Sequence, residues 1–144
     1  MQSYKVELTP IAQKTYEEMY ADVQACITAG DLTNAKITTL RMVDDAIDNI
    51  IPHDPFSTTN ALSGPLSNIF RVKKGRLRIY YAASSKEKKI VILYISQTLR
   101  KAGDVNDPYS IFTRLVMTGR FNEYFSRFGV RIPPKNTLQP PQIQ

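Results

Sequence analysis

The 144-residue chain has few of the residues that bind metals or cross-link a fold. Cys26 is its one cysteine, which excludes an internal disulfide and any cysteine-built zinc or iron–sulfur site, and makes a reducing cytoplasm the expected location. Its place on the apolar side of a helical pattern marks it as buried and inert. His53 is equally solitary, so neither a histidine pair for a metal nor a Ser-His-Asp arrangement can be assembled. Gly64 and Gly75 belong to no phosphate-binding loop, because neither GxGxxG nor GxxxxGK followed by Ser or Thr occurs. Asp44, Asp45 and Asp48 lack the spacing of a calcium loop and read as a solvated helix face. Unbroken apolar runs are short, and the opening MQSYKVELTP has no apolar stretch of a leader, so no membrane segment is expected. No metal and no cofactor is expected.

What is present is a globular composition, 42% hydrophobic and 22% charged. The length suits one domain, placed at residues 1–131, followed by a proline-rich tail at 132–144 that reads as disordered. The net charge of +6 conceals two unlike halves. Residues 1–60 hold four Lys/Arg (Lys5, Lys14, Lys36, Arg41) against nine acids, for −5. Residues 61–144 hold fifteen against four (Glu87, Asp104, Asp107, Glu123), for +11. A concentrated basic half points to an anionic partner.

Tyr4 to Leu8 alternates as a short strand. Thr9-Pro10 is an N-cap with proline at the first helical position, and Ile11, Thr15, Met19, Val23, Cys26 and Ile27 carry a helix to about Ala29. Gly30 ends it and Asp31 is expected to cap a second helix, with Leu32, Ala35, Leu40, Val43, Ile47 and Ile50 on its apolar face and Pro52 closing it. The two form an antiparallel hairpin. His53 to Pro65 reads as a loop. Strands follow at Asn68–Lys73, Arg76–Ala82 and Lys89–Ser96, joined as an antiparallel meander with a turn at Lys74-Gly75. The last, KIVILYIS, is apolar on both faces and should be central or covered on both sides. Asp107-Pro108 opens a further helix, which Gly119 interrupts and Phe121, Tyr124, Phe125 and Phe128 continue to Gly129.

The chemistry concentrates in NIFRVKKGRLRIYY. A Lys74-Gly75 turn pairs Lys73 with Arg76, Arg71 with Arg78 and Ile69 with Tyr80, and places all six on one sheet face. Cations facing one another across strands repel by a few tenths of a kcal/mol per pair. Such a face makes sense when a phosphate backbone lies on it. Arg100 and Lys101 follow the last strand, where a strand end can fix an accessible side chain. Tyr109, at the start of the following helix, offers a phenol near these cations.

The order of elements and these motifs resemble the RelE/ParE superfamily of toxins, over roughly Tyr4 to Leu115. The stretches that carry the resemblance are Leu62-Ser63-Gly64, Arg71-Val72-Lys73-Lys74-Gly75, Arg78-Ile79-Tyr80-Tyr81 and Ile90 through Ser96 followed by Arg100. The resemblance implies an α+β fold: a small mixed or antiparallel sheet packed against the N-terminal helical hairpin, with C-terminal helices. It also implies a type II toxin neutralised by a cognate antitoxin that wraps its basic groove. In the RelE branch such toxins are mRNA interferases that cleave mRNA in the ribosomal A site without a metal, through attack of the ribose 2′-hydroxyl on the scissile phosphate. Carried over by position, Arg78 and Arg100 stabilise the phosphate charge, Tyr109 moves a proton, and Lys73 or Lys74 assists. Arg71, Lys73, Arg76 and Lys101 hold the RNA backbone. The stretch Lys101–Pro108 is longer than the family's spacing between the last arginine and that tyrosine. Two other readings are a ParE-type inhibitor of DNA gyrase and an inactive member that serves as a binding module.

Overall fold

The computed structural model describes residues 3–66, 68–97 and 106–132. Four strands form one mixed sheet: β1 (Lys5–Leu8), β2 (Phe70–Lys74), β3 (Leu77–Ser84) and β4 (Lys89–Ser96), in the order β1-β4-β3-β2. β1 runs parallel to β4, with Lys5 opposite Lys89 and Leu8 opposite Ile92, and the other pairs are antiparallel. The strand that is apolar on both faces, β4, is therefore internal.

Helices cover both sides of the sheet. Thr9 caps α1 (Pro10–Thr28): its Oγ1 accepts from Ala12 N at 3.1 Å and donates to Leu93 O at 2.8 Å. Its own amide donates to Ile92 O at 3.0 Å. One residue thus starts the helix and fastens it to β4. The next helix, α2 (Ala35–Asp45), corrects the expected cap. Asn34, not Asp31, accepts from Lys36 N at 2.9 Å, while Asp31 accepts from Asn34 Nδ2 at 2.9 Å. Leu32 accordingly lies outside the helix and is 66% exposed.

Pro52 does not end the segment either. The chain widens into a π-helical turn (Ala46–Ile50), whose exit has Ile51 N donating to Ala46 O, and continues as α3 (Ile51–His53). Proline clashes with the carbonyl four residues back in a regular helix, and the wider turn accommodates it.

The β2–β3 turn is likewise shifted. Lys74 pairs with Leu77, so Gly75-Arg76 form the turn, with Gly75 at φ +56°, a conformation in which lysine is strained. Lys73 then faces Arg78 rather than Arg76, and Arg71 faces Tyr80 rather than Arg78. The partner moves by two positions, so the cations keep their face.

Between β3 and β4 the register slips at Tyr80/Tyr81: Tyr80 opposes Tyr94 and Tyr81 opposes Ile92, leaving Leu93 as a bulge. The two faces of the sheet divide the core, and the bulge switches the side of the β4 residues that follow it. Phe70, Val72, Leu77, Ile79, Tyr81, Ile90, Ile92 and Ile95 pack with α1 and α2. Tyr80, Ala82, Val91 and Leu93 pack with Phe112, Val116, Phe121, Phe125 and Phe128 of the C-terminal segment. Each fully buried large side chain contributes about 2 kcal/mol of transfer free energy.

The C-terminal cover is α4 (Pro108–Met117) and α5 (Asn122–Phe128). Asp107 caps α4 as expected, accepting from Ser110 N at 2.7 Å and Ser110 Oγ at 3.2 Å. Gly129, at φ +69°, ends α5 in the left-handed conformation. Among the described residues no helix is long and apolar enough to cross a membrane.

Candidate nucleic-acid interface

Cross-strand register builds two rows on the sheet face beneath α4. Lys73, Arg78 and Ser96 form one, and Arg71, Tyr80 and Tyr94 the other. The rows lie about 7 Å apart, two residues along each strand. The Leu93 bulge is what brings Tyr94 beside Tyr80 and Ser96 beside Arg78.

Arg78 is half-buried and braced on its own turn: Nη1 donates to Gly75 O at 2.6 Å and to Leu77 O at 2.9 Å. Among the described residues Nε and Nη2 have no hydrogen-bond partner and can serve a ligand. Lys73 is exposed. At Arg71, in the other row, a cleft of about 330 Å³ opens, lined by Ala61, Leu62, Ser63, Arg71 and Tyr109. Its loop wall is held along β2 by Arg71 N donating to Asn60 O at 2.7 Å and Leu62 N donating to Ile69 O at 3.0 Å. The opposite side is the first turn of α4, which carries Tyr109.

The rows rest on an aromatic floor. The Tyr80 ring stacks on Phe112 at 4.2 Å and 13°, and Tyr94 lies 6.0 Å from Tyr80 and 6.3 Å from Phe112. Burial pushes the Tyr80 phenol up to about 12; the neighbouring Arg71 and Arg78 guanidinium groups oppose this, and Asp107 reinforces it. Burial also raises Tyr94, against the pull of Ser96 and Arg114. Both phenols are neutral at physiological pH. The surface above them presents fixed positive charge, the arrangement a phosphate ligand requires.

The structure brings Arg71, Lys73 and Arg78 onto one face and places Tyr109 across the cleft from Arg71. It does not bring Lys74 with them. As the neighbour of Lys73 on β2, Lys74 alternates to the other face, where it pairs with Leu77. Arg76 sits in the hairpin turn. Arg100 and Lys101 lie outside the described residues, as does the tail from residue 133. Sequence reasoning put Tyr80 on this face without giving it a role, and missed the setting of Tyr94 and of Asp107 near the Tyr80 phenol. The parity of Arg78 and Tyr80 was a usable signal for Tyr80, whereas Tyr94 depends on the bulge.

Residues 8–130 match the family model of YhaV toxins, described as a toxin with endonuclease activity, of toxin-antitoxin system. A curated relative, Toxin YhaV of Escherichia coli O6:H1 (strain CFT073), is 30% identical over 123 residues, covering 76% of this chain and 79% of that protein. Among solved structures the chain is similar to the toxin–antitoxin complex RelBE2 from Mycobacterium tuberculosis, with a TM-score of 0.47, 18% identity and coverage of 66% of this chain and 98% of that one. It is also similar to the isolated E. coli RelE toxin, with a TM-score of 0.43, 12% identity and coverage of 80% and 97%.

Proposed function

The chain belongs to the YhaV toxin family, whose members are described as endonuclease toxins of toxin–antitoxin systems, and on that premise we propose that it is a metal-independent, ribosome-dependent mRNA endonuclease. The observation that carries this reading is the meeting of Arg71 and Tyr109, 38 positions apart in the basic half, on one cleft, with Lys73 and Arg78 on the same sheet face as Arg71.

In the proposed reaction the ribose 2′-oxygen attacks the adjacent phosphorus and the bond to the next nucleotide's 5′-oxygen breaks, leaving a cyclic phosphate. One proton leaves the 2′-hydroxyl and one is delivered to the 5′-oxygen. Arg78 and Arg100 stabilise the charge that develops on the phosphate, and Tyr109 is the group assigned to proton transfer. Arg71 and Lys73 hold the backbone, with Arg76 and Lys101 extending the track. The lysine that assists proton movement is Lys73, because it shares the face of Arg71 and Arg78 and Lys74 does not. Residues 1–131 act as one toxin domain in the cytoplasm, and a cognate antitoxin blocks the same basic face.

The test is expression without the antitoxin, with growth recorded and mRNA ends mapped. The parent chain should arrest growth and generate new ends within translated codons, and Arg78→Ala and Arg100→Ala should abolish both. Cleavage of untranslated RNA at the same rate would remove the ribosome from the reading. Undiminished toxicity and cleavage by both variants would overturn the assignment. Arrest with inhibited supercoiling and no RNA cleavage would move it to a gyrase-directed toxin.

A further inference from the structure

Among the described residues, the buried side-chain atoms without a hydrogen-bond partner are Arg71 Nε, Tyr80 Oη and Thr113 Oγ1. All belong to the cleft face of the sheet or to the helix that covers it. Two of them, Arg71 and Tyr80, sit directly opposite each other on β2 and β3. Leaving buried polar atoms unpaired is costly, and the neighbouring Tyr81, equally buried, avoids that cost by donating to Pro55 O at 2.8 Å. A phenylalanine at position 80 would keep the stacking and remove the unpaired oxygen.

The two partners differ in freedom. Tyr80 is 0% exposed and its ring is held between Phe112 and Tyr94, so its hydroxyl has a fixed position. Arg71 is half-buried, has a long side chain and lines the open cleft, so it is the member that can turn. The phenol is neutral and offers lone pairs to an N–H donor.

We propose that Tyr80 is a positioning residue for Arg71: when a phosphate enters the cleft, Arg71 Nε–H donates to Tyr80 Oη, and the guanidinium is held with Nη1 and Nη2 directed at the phosphate oxygens. This rests on the reading of the cleft as a phosphate site and adds what orients its arginine. In the free protein the Arg71 guanidinium already acts on the Tyr80 phenol from close by without an aligned bond, and binding turns that contact into a full hydrogen bond. Part of the ligand's affinity therefore resides in a residue the ligand does not touch.

The test uses the full chain and an oligoribonucleotide carrying a 2′-deoxy sugar at the scissile position, which binds without being cleaved. In the parent, adding it should shift the Arg71 Nε–H resonance and slow its exchange with solvent. Tyr80→Phe should bind about 10-fold more weakly, show no protection of that N–H, and melt no lower than the parent. In an Arg71→Lys background, Tyr80→Phe should have no further effect on affinity, because the Nε donor is gone. Parent-like affinity and Nε–H protection in Tyr80→Phe would overturn the proposal, and so would an undiminished effect of Tyr80→Phe in the Arg71→Lys background. If Arg71→Ala itself binds the oligonucleotide as the parent does, the reading of the cleft fails too. If Arg71→Ala loses binding while Tyr80→Phe does not, only the positioning role fails.

Discussion

Tyr80 and Tyr81 are consecutive, both fully buried, and both pushed up to about 12 chiefly by burial, yet they inhabit different proteins in all but name. Tyr81 points to the side of α1 and α2, stacks on Phe70 at 5.3 Å and 17°, and gives its hydroxyl to Pro55 O. Its core is shared with Ile79, Ile90, Ile92 and Ile95, while at the hydroxyl end Asn60 lowers and Asp54 raises the phenol, with no cation acting on it. Tyr80 points to the side of α4, where Arg78 and Asp107 act on its phenol and the Arg71 guanidinium lies close to its hydroxyl without an aligned hydrogen bond. The side that is closed by the helical hairpin has its buried tyrosine paired. The side that opens on a cleft leaves buried polar atoms waiting. The contrast teaches that burial alone does not separate a structural tyrosine from a site tyrosine; the state of its hydroxyl and the charges around it do.

The largest expected effect tests whether the two sides divide labour. Arg71→Ala should lower cleavage at limiting RNA about 100-fold, because a charge-assisted hydrogen bond to the RNA backbone worth about 3 kcal/mol is lost. Its urea midpoint should correspond to a stability within about 0.5 kcal/mol of the parent. Ile92→Ala, on the closed side and 0% exposed, should do the reverse, costing about 3 kcal/mol through the cavity it leaves, with activity per folded molecule unchanged. Equal losses of stability in the two variants would break the comparison.

Smaller, and confined to the tyrosines, is the cost of Tyr81→Phe. The buried Pro55 carbonyl would lose its donor, and urea denaturation should show a loss of about 1–2 kcal/mol. The same tyrosines set a pH dependence. With phenols raised from 10.0 to about 12 in the folded chain, the native state keeps protons that the unfolded chain releases. Their contribution to stability is complete below pH 10 and declines as pH rises toward 12. Replacing either tyrosine by phenylalanine should flatten that decline, measured as the denaturation midpoint against pH.

Much of this division was legible in the chain. Thr9-Pro10 and Asp107-Pro108 announced α1 and α4, because each pairs a side-chain acceptor with a proline whose missing N–H costs nothing there. The two-sided apolar run of β4 announced an internal strand. The cationic face survived a misplaced turn, since moving the partner of Arg71 from Arg78 to Tyr80 preserves side-chain parity. What could not be read is what tertiary contacts decide. Leu93 looks like any strand residue, and its bulge is met by the Thr9 hydroxyl from 84 positions away. Asp31 and Asn34 are both good caps, and the choice falls to the residue whose side chain reaches a helical amide. Pro52 reads as a stop unless the helix is known to widen before it.

The smallest expected effect concerns another adjacent pair, Lys73 and Lys74. They are both exposed, but the register places Lys73 in the row with Arg78 and Ser96 and turns Lys74 to the side of Leu77. A lysine that neutralises one phosphate of a single strand adds about 0.7 to the slope of log affinity against log salt. Lys73→Ala should therefore reduce that slope by about 0.7 for the 2′-deoxy oligonucleotide, and Lys74→Ala should leave it unchanged. Removing Lys73 should also relieve its repulsion with Arg78 by a few tenths of a kcal/mol, so its stability should not fall. Equal salt slopes for the two variants would mean that the ligand's path crosses the hairpin tip instead of following one face. The division between the two sides of the sheet would then end at Gly75.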